Sequence, residues 1–298
     1  MLRLLGIALI VICVGCLVIF HSEIKRFSDT FLSSREGQEM LNEGDYAGAI
    51  ALYEEKVEAD PGNYSLSMAL ASLYGLHRQR DKAIELYRTL MAKYPDSPEH
   101  TAIVIAYGRM QENLPEKRNN VISLYRKALR SDSDNPDLLS ALGTVYLKAG
   151  DNPNETRQEM KSWLYEWAIY YYRLALAFDS KQEGTRFNLG VAYQQTERYE
   201  KAASSYCNAL VLNPNAFEAR FNLGLTLVNL DALEQGYQQL ARSVSILSDA
   251  GRVPEAQRLA ERVQEVKTMV YNDSSNSGLQ SEMDESTLSK FMSPACLI

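Results

Sequence analysis

The chain has 298 residues, 46% of them hydrophobic and 23% charged, and carries a formal net charge of −7. That balance excludes a wholly disordered, collagen-like or multiply membrane-spanning chain, and the lack of a basic excess argues against nucleic acid as a partner. Four cysteines, two of them inside the first apolar run, and three scattered histidines make neither a disulfide framework nor a metal-ligand cluster.

From Leu4 to Phe20 the chain runs 17 residues without a charge. As a helix this run measures about 26 Å, against about 30 Å for a bilayer core. With Met1 and Leu2 extending the stretch and Arg3 snorkelling to the interface, residues 1–24 are expected to form a single transmembrane anchor. A cleaved signal peptide is the poorer reading, because His21, Ser22 and Glu23 offer no small-residue cleavage site. A lipoprotein signal at Val14-Gly15-Cys16 is opposed by the apolar residues Leu17 to Phe20 that follow the cysteine. Arg3 on one side nearly balances Lys25, Arg26 and Arg35 on the other. The short segment before the span favours a cytoplasmic amino terminus, with the bulk of the chain across the membrane.

Beyond the anchor the sequence repeats. Ala49, Tyr53 and Pro61 recur 34 residues later as Ala83, Tyr87 and Pro95, and again as Ala202, Tyr206 and Pro214. Arg186-Phe187-Asn188-Leu189-Gly190 returns 34 residues on as Arg220-Phe221-Asn222-Leu223-Gly224. Ala202, Tyr206, Ala209 and Leu210 fall on one helical face, and Pro214 stops that helix. Small residues at Gly190 and Ala202 allow two helices to approach closely, with the tyrosine beside them. One such helix pair cannot bury its own apolar face, so neighbouring pairs must stack.

Six units are expected, at 30–63, 64–97, 101–135, 136–182, 183–216 and 217–250, and the first five keep the second-helix tyrosine. The sixth has Gly236 and Leu240 in place of the small residue and the aromatic. Val121 to Ala168 spans 47 residues rather than 34, and the thirteen extra fall between Gly150 and Trp167. That stretch holds both tryptophans of the chain. Met160, Trp163, Leu164 and Trp167 share a helical face, so the second helix of the fourth unit is expected to begin early. Trp163 and Trp167 then either form an exposed aromatic anchor for a partner or fold back onto the adjacent repeat. Past Gly251, the spacing of Ala256, Leu259, Val263, Val266 and Val270 predicts a capping helix over 251–271. Residues 272–298 are rich in Ser, Asp, Glu and Asn and read as a disordered tail.

The Leu-Gly-then-tyrosine first helix, the small residue and aromatic of the second, and the closing proline together resemble the tetratricopeptide repeat family. The resemblance implies an all-α, right-handed α-solenoid of helix-turn-helix repeats, here with an N-terminal transmembrane helix. It also implies a concave face, lined by first helices, that binds a peptide or protein segment. Carried over by motif, the lining residues are Asn188, Val191, Gln194 and Gln195, then Asn222, Leu225, Val228 and Asn229. Asn188 and Asn222, one period apart, resemble rungs of the asparagine ladder with which some repeat-containing glycosyltransferases hold a peptide backbone. Family members that clamp the acidic tail of chaperones need Lys and Arg on these helices. The matching places carry Gly184, Phe187 and Val191, then Glu218, Phe221 and Leu225, which disfavours that ligand.

No phosphate loop, HExxH, GxSxG elbow or paired carboxylates stand out, so no enzymatic activity, cofactor, metal site or small-molecule substrate is expected. The functional expectation is a membrane-tethered scaffold for protein–protein interaction in assembling a membrane-associated complex. Its rivals are an accessory subunit of an enzyme complex and a co-chaperone or import receptor.

Overall fold

The computed structural model describes residues 35–277 except 96, 98 and 156, together with 285–290, 292, 293 and 296 near the C terminus. The expected membrane anchor at 1–24 lies outside the described residues, and among those no helix is long and apolar enough to cross a membrane. The described residues form helices and no strands: α1 (Arg35–Asn42), α2 (Tyr46–Ala59), α3 (Tyr64–Leu76), α4 (Arg80–Lys93), α5 (His100–Gln111), α6 (Arg118–Ala128) and α7 (Pro136–Gly150). There follow α8 (Gln158–Phe178), α9 (Glu183–Gln195), α10 (Tyr199–Leu212), α11 (Phe217–Asn229), α12 (Leu233–Asp249), α13 (Val253–Ser277) and the single turn α14 (Glu285–Leu288).

Local chemistry starts and stops these helices. The Asp45 carboxylate accepts from the Gly48 N–H at 2.9 Å, and the Asn63 and Asn135 carboxamide oxygens accept from Leu66 and Leu138. Each caps an otherwise orphaned donor at a helix start. The turns inside the regular hairpins share one geometry. Gly44, Arg78, Glu197 and Asp231, spaced by the repeat period or its multiples, all take the left-handed conformation. The next N–H then reaches back to close the preceding helix, as in Gln79 to Tyr74 O at 2.7 Å and Arg198 to Tyr193 O at 2.9 Å.

The described chain divides into two compact units, one ending at Asn152 and the other beginning at Pro153, inside the stretch read as the fourth repeat. In the first unit α1 to α7 pack in sequence, each on the next. The recurring tyrosines Tyr53, Tyr87 and Tyr125 are fully buried there, and the Tyr125 hydroxyl donates to Ile105 O at 3.1 Å. A 3₁₀ turn at Pro115–Lys117 takes up the extra length between α5 and α6.

In the second unit α8 packs on α9, α9 on α10, α10 on α11, α11 on α12, and α12 on α13. Tyr172 and Tyr206 are buried like their counterparts. A Cβ on Gly190 would stand 2.6 Å from the Tyr206 ring, which explains the glycine. The sixth pair solves the same problem differently. A Cβ on Gly224 would meet Leu240 at 2.7 Å and Gly236 O at 2.9 Å, so here two glycines let the backbones themselves approach.

Gly251 ends α12 with φ of 72° and a bond from Arg252 N to Leu247 O at 2.9 Å. The helix after it, α13, continues to Ser277, beyond the 271 expected. The segment read as a disordered tail carries α14, and its Leu288, Met292 and Cys296 are buried. Cys296 is joined by a disulfide to Cys207 of α10, with 5.5 Å between the Cα atoms. Two cysteines left unpaired by a search for dense, small-protein patterns thus pair across 89 residues of sequence.

Candidate functional site

The expected groove of the second unit is built on α9 and α11. On α9, Asn188, Val191 and Gln195 are half-buried. The Gln194 carboxamide oxygen accepts the Tyr206 hydroxyl at 2.8 Å, so this side chain belongs to the packing of its own hairpin. On α11 the expectation needs correcting: Asn222 is 5% exposed, Leu225 0% and Val228 5%. The cause is α13. Its Ala256, Leu259, Val263 and Val266 form one cluster with Phe221, Leu225 and Val228, so the capping helix covers the face that would have lined a groove. Asn222 Oδ1 is buried without a hydrogen-bond partner, and Asn229, at the end of α11, is half-buried. Only Asn188 of the two-rung ladder is therefore open to an incoming backbone. The apolar spacing of α13 was the signal in the sequence, since a cap must cover some apolar face and α11 presents the nearest.

A second surface stands on α8, which is 21 residues long against 14 for α2, α4 and α10. Tyr165, Ala168, Ile169, Tyr172 and Ala175 form its buried face. On another side Trp163 is 51% and Tyr170 53% exposed, with Trp167 and Tyr171 half-buried between them. The rings are mutually ordered. Trp163 meets Trp167 edge-on at 5.9 Å between centroids, Trp167 stacks on Tyr171 at 5.8 Å, and Tyr170 lies edge-on to both Trp167 and Tyr171 at 5.6 and 5.1 Å. Such edge and stacked pairs restrain the rings before any partner arrives. Glu166 pairs with Arg198 of the α9–α10 turn, which holds the extension of α8 to its own unit. Of the two readings of the insertion, exposure holds for Trp163, whereas Trp167 is partly covered.

Electrostatics in this unit centre on the first turn of α11. Burial pushes the Glu218 carboxyl up to about 7; Arg252 opposes the shift and Glu183 adds to it. Glu183 in turn accepts from Asn213 Nδ2 at 3.2 Å. Among the described residues no group of three His, Cys, Asp or Glu side chains is placed to hold a metal ion.

Comparison with known proteins follows this geometry. Tetratricopeptide repeat models match residues 40–104 and 187–244, so the chain contains tetratricopeptide repeats in both units. It is 27% identical over 199 residues to the human protein O-mannosyl-transferase TMTC1, covering 67% of this chain and 21% of that protein. It is 24% identical over 249 residues to the peroxisomal targeting signal receptor of Candida albicans, covering 79% of this chain and 36% of the receptor. The chain thus spans between a fifth and about a third of the length of these relatives. Among solved structures, the APC/C hetero-tetramer Cut9–Hcn1 matches with a TM-score of 0.58 at 17% identity, over 81% of this chain and 46% of the other. The C-terminal part of a TPR repeat-containing protein from Cytophaga hutchinsonii matches with a TM-score of 0.50 at 18% identity, over 81% of this chain and 89% of that one. These likenesses show the helical-repeat fold. Proteins with such repeats mediate protein–protein interaction and are typically non-enzymatic.

Proposed function

We propose that this chain is a non-enzymatic, membrane-tethered scaffold that binds a protein segment chiefly through the aromatic face of α8. The observation that carries the reading is the ordered cluster of Trp163, Trp167, Tyr170 and Tyr171 on an extension longer than the other second helices. Trp and Tyr supply large contact areas at small entropic cost and dominate binding hot spots. The open part of the α9 surface, with Asn188, Val191 and Gln195, lies in the same unit and offers a polar edge for the same segment.

The tether is read from the uncharged run Leu4–Phe20. It would confine the scaffold to a membrane surface and so raise the effective concentration of a membrane-associated partner. The Cys207–Cys296 bridge favours an oxidising compartment, which supports placing the repeats on the non-cytoplasmic side.

Capture from a detergent extract tests the binding role. The double variant Trp163→Ala/Trp167→Ala is expected to lower partner recovery by about 30-fold, as loss of a hot spot of ~2 kcal/mol does, at unchanged melting temperature. Undiminished recovery rules out the α8 face. A stoichiometric enzyme among the captured proteins would favour the accessory-subunit reading, and a broad set of unfolded clients the receptor reading. Carbonate extraction with protease accessibility of intact cells tests the tether: resistance to extraction supports it, release into the supernatant refutes it.

A further inference from the structure

The C-terminal segment is seated on the second unit by few contacts and one covalent bond. Leu288, Met292 and Cys296 are buried, Gln239 Nε2 of α12 donates to Cys296 O at 3.1 Å, and the disulfide fixes Cys296 to α10. Beneath it lies a polar column. Gln239 Oε1 accepts from Arg220 Nη1 at 2.7 Å, and Arg220 Nη2 donates to Pro214 O at 3.1 Å. Gln239 and Arg220 are both almost wholly covered, and the Arg220 Nε–H is buried without an acceptor. A charged guanidinium held only by neutral carbonyl oxygens, under a segment with three buried anchors, makes a poorly compensated interior.

We propose that residues 285–296 form a redox-released strap: the disulfide locks it over the Arg220–Gln239 column, and reduction by a dithiol frees it and opens that face of α10 and α12. The exchange is balanced. A thiolate of the dithiol attacks one sulfur, forming a mixed disulfide, and the other sulfur leaves as a thiolate and takes up a proton. The second thiol of the reductant then resolves the mixed disulfide. Cys207 and Cys296 end as two thiols, and the dithiol ends as a disulfide. Both sulfurs are buried, so attack requires local opening of the strap. With few anchors besides the bond, that opening is small compared with unfolding of the repeats, and once the bond is cut nothing covalent recloses it. The inference stands independently of the membrane tether and of the α8 surface.

Hydrogen–deuterium exchange on the full chain, with and without dithiothreitol, tests it. The expected result is at least tenfold faster exchange in 285–296 and in the α12 stretch 236–243 on reduction, with 189–193 of α9 unchanged. The full-length variant Cys296→Ser is expected to show the reduced pattern under both conditions. Identical strap exchange with and without dithiothreitol, or rapid alkylation of both cysteines in the untreated native protein, would overturn the proposal. Faster exchange spread equally over α9 to α13 would overturn it too, because the bond would then be a general brace rather than the lock of a local cover.

Discussion

Single atoms decide the packing of the hairpins. Gly190→Ala places a methyl 2.6 Å from the Tyr206 ring, whose hydroxyl is already committed to Gln194. The ring cannot retreat without breaking that bond, so denaturant unfolding is expected to show a loss of about 1–3 kcal/mol. Gly44→Ala meets nothing within 4 Å, yet its φ of 80° penalises any Cβ, and a loss of about 1 kcal/mol is expected from conformation alone. Glu218 sets a pH dependence. Its carboxyl titrates at about 7 in the folded chain against an ordinary 4.5, so the folded state binds the proton more tightly than the unfolded one. Its contribution to stability is complete below the ordinary value and is lost as pH rises through 7. Glu218→Gln should flatten that decline and leave the protein more stable than the parent at pH 8, by up to about 3 kcal/mol, as measured by unfolding curves at pH 5 and pH 8.

The helices show how far sequence pattern reaches. Tyr53, Tyr87, Tyr125, Tyr172 and Tyr206 repeat in the chain and are buried in the fold, because each fills a gap that its partner helix leaves. The early start of α8 was legible from the spacing of Met160, Trp163, Leu164 and Trp167, and helix α8 begins at Gln158. Two things were not legible. A first-helix position such as Leu225 looks identical whether it lines a groove or lies under a cap, and its burial is decided by α13, a separate element outside the repeat pattern. The left-handed turns at Arg78, Glu197 and Asp231 carry no glycine to announce them and are revealed only by their shared period. Pairing of Cys207 with Cys296 was equally hidden, since a bridge across 89 residues depends on where a polar tail comes to rest. Its removal by Cys207→Ala is expected to lower stability by about 2–5 kcal/mol under oxidising conditions, and a denaturation curve in excess dithiothreitol should show little difference between parent and variant.

At the scale of the whole chain, two units of stacked helices offer few enclosed chemical environments and much helical surface. Function must then come from what each surface displays. The first unit buries its tyrosines within regular hairpins, whereas the second adds the long aromatic α8, the cap α13 and the disulfide-held strap. Departures from the 34-residue period mark the places where the fold has material beyond that needed for stacking. Trp163 and Trp167 sit in the largest of those departures. Hydrogen–deuterium exchange of the full chain, alone and in the complex captured from a detergent extract, reads this directly. Binding through α8 predicts partner-dependent protection over residues 160–171, with a lesser effect around 188–195 of α9. Protection confined to the first unit, with α8 exchanging at the same rate free and bound, would contradict it.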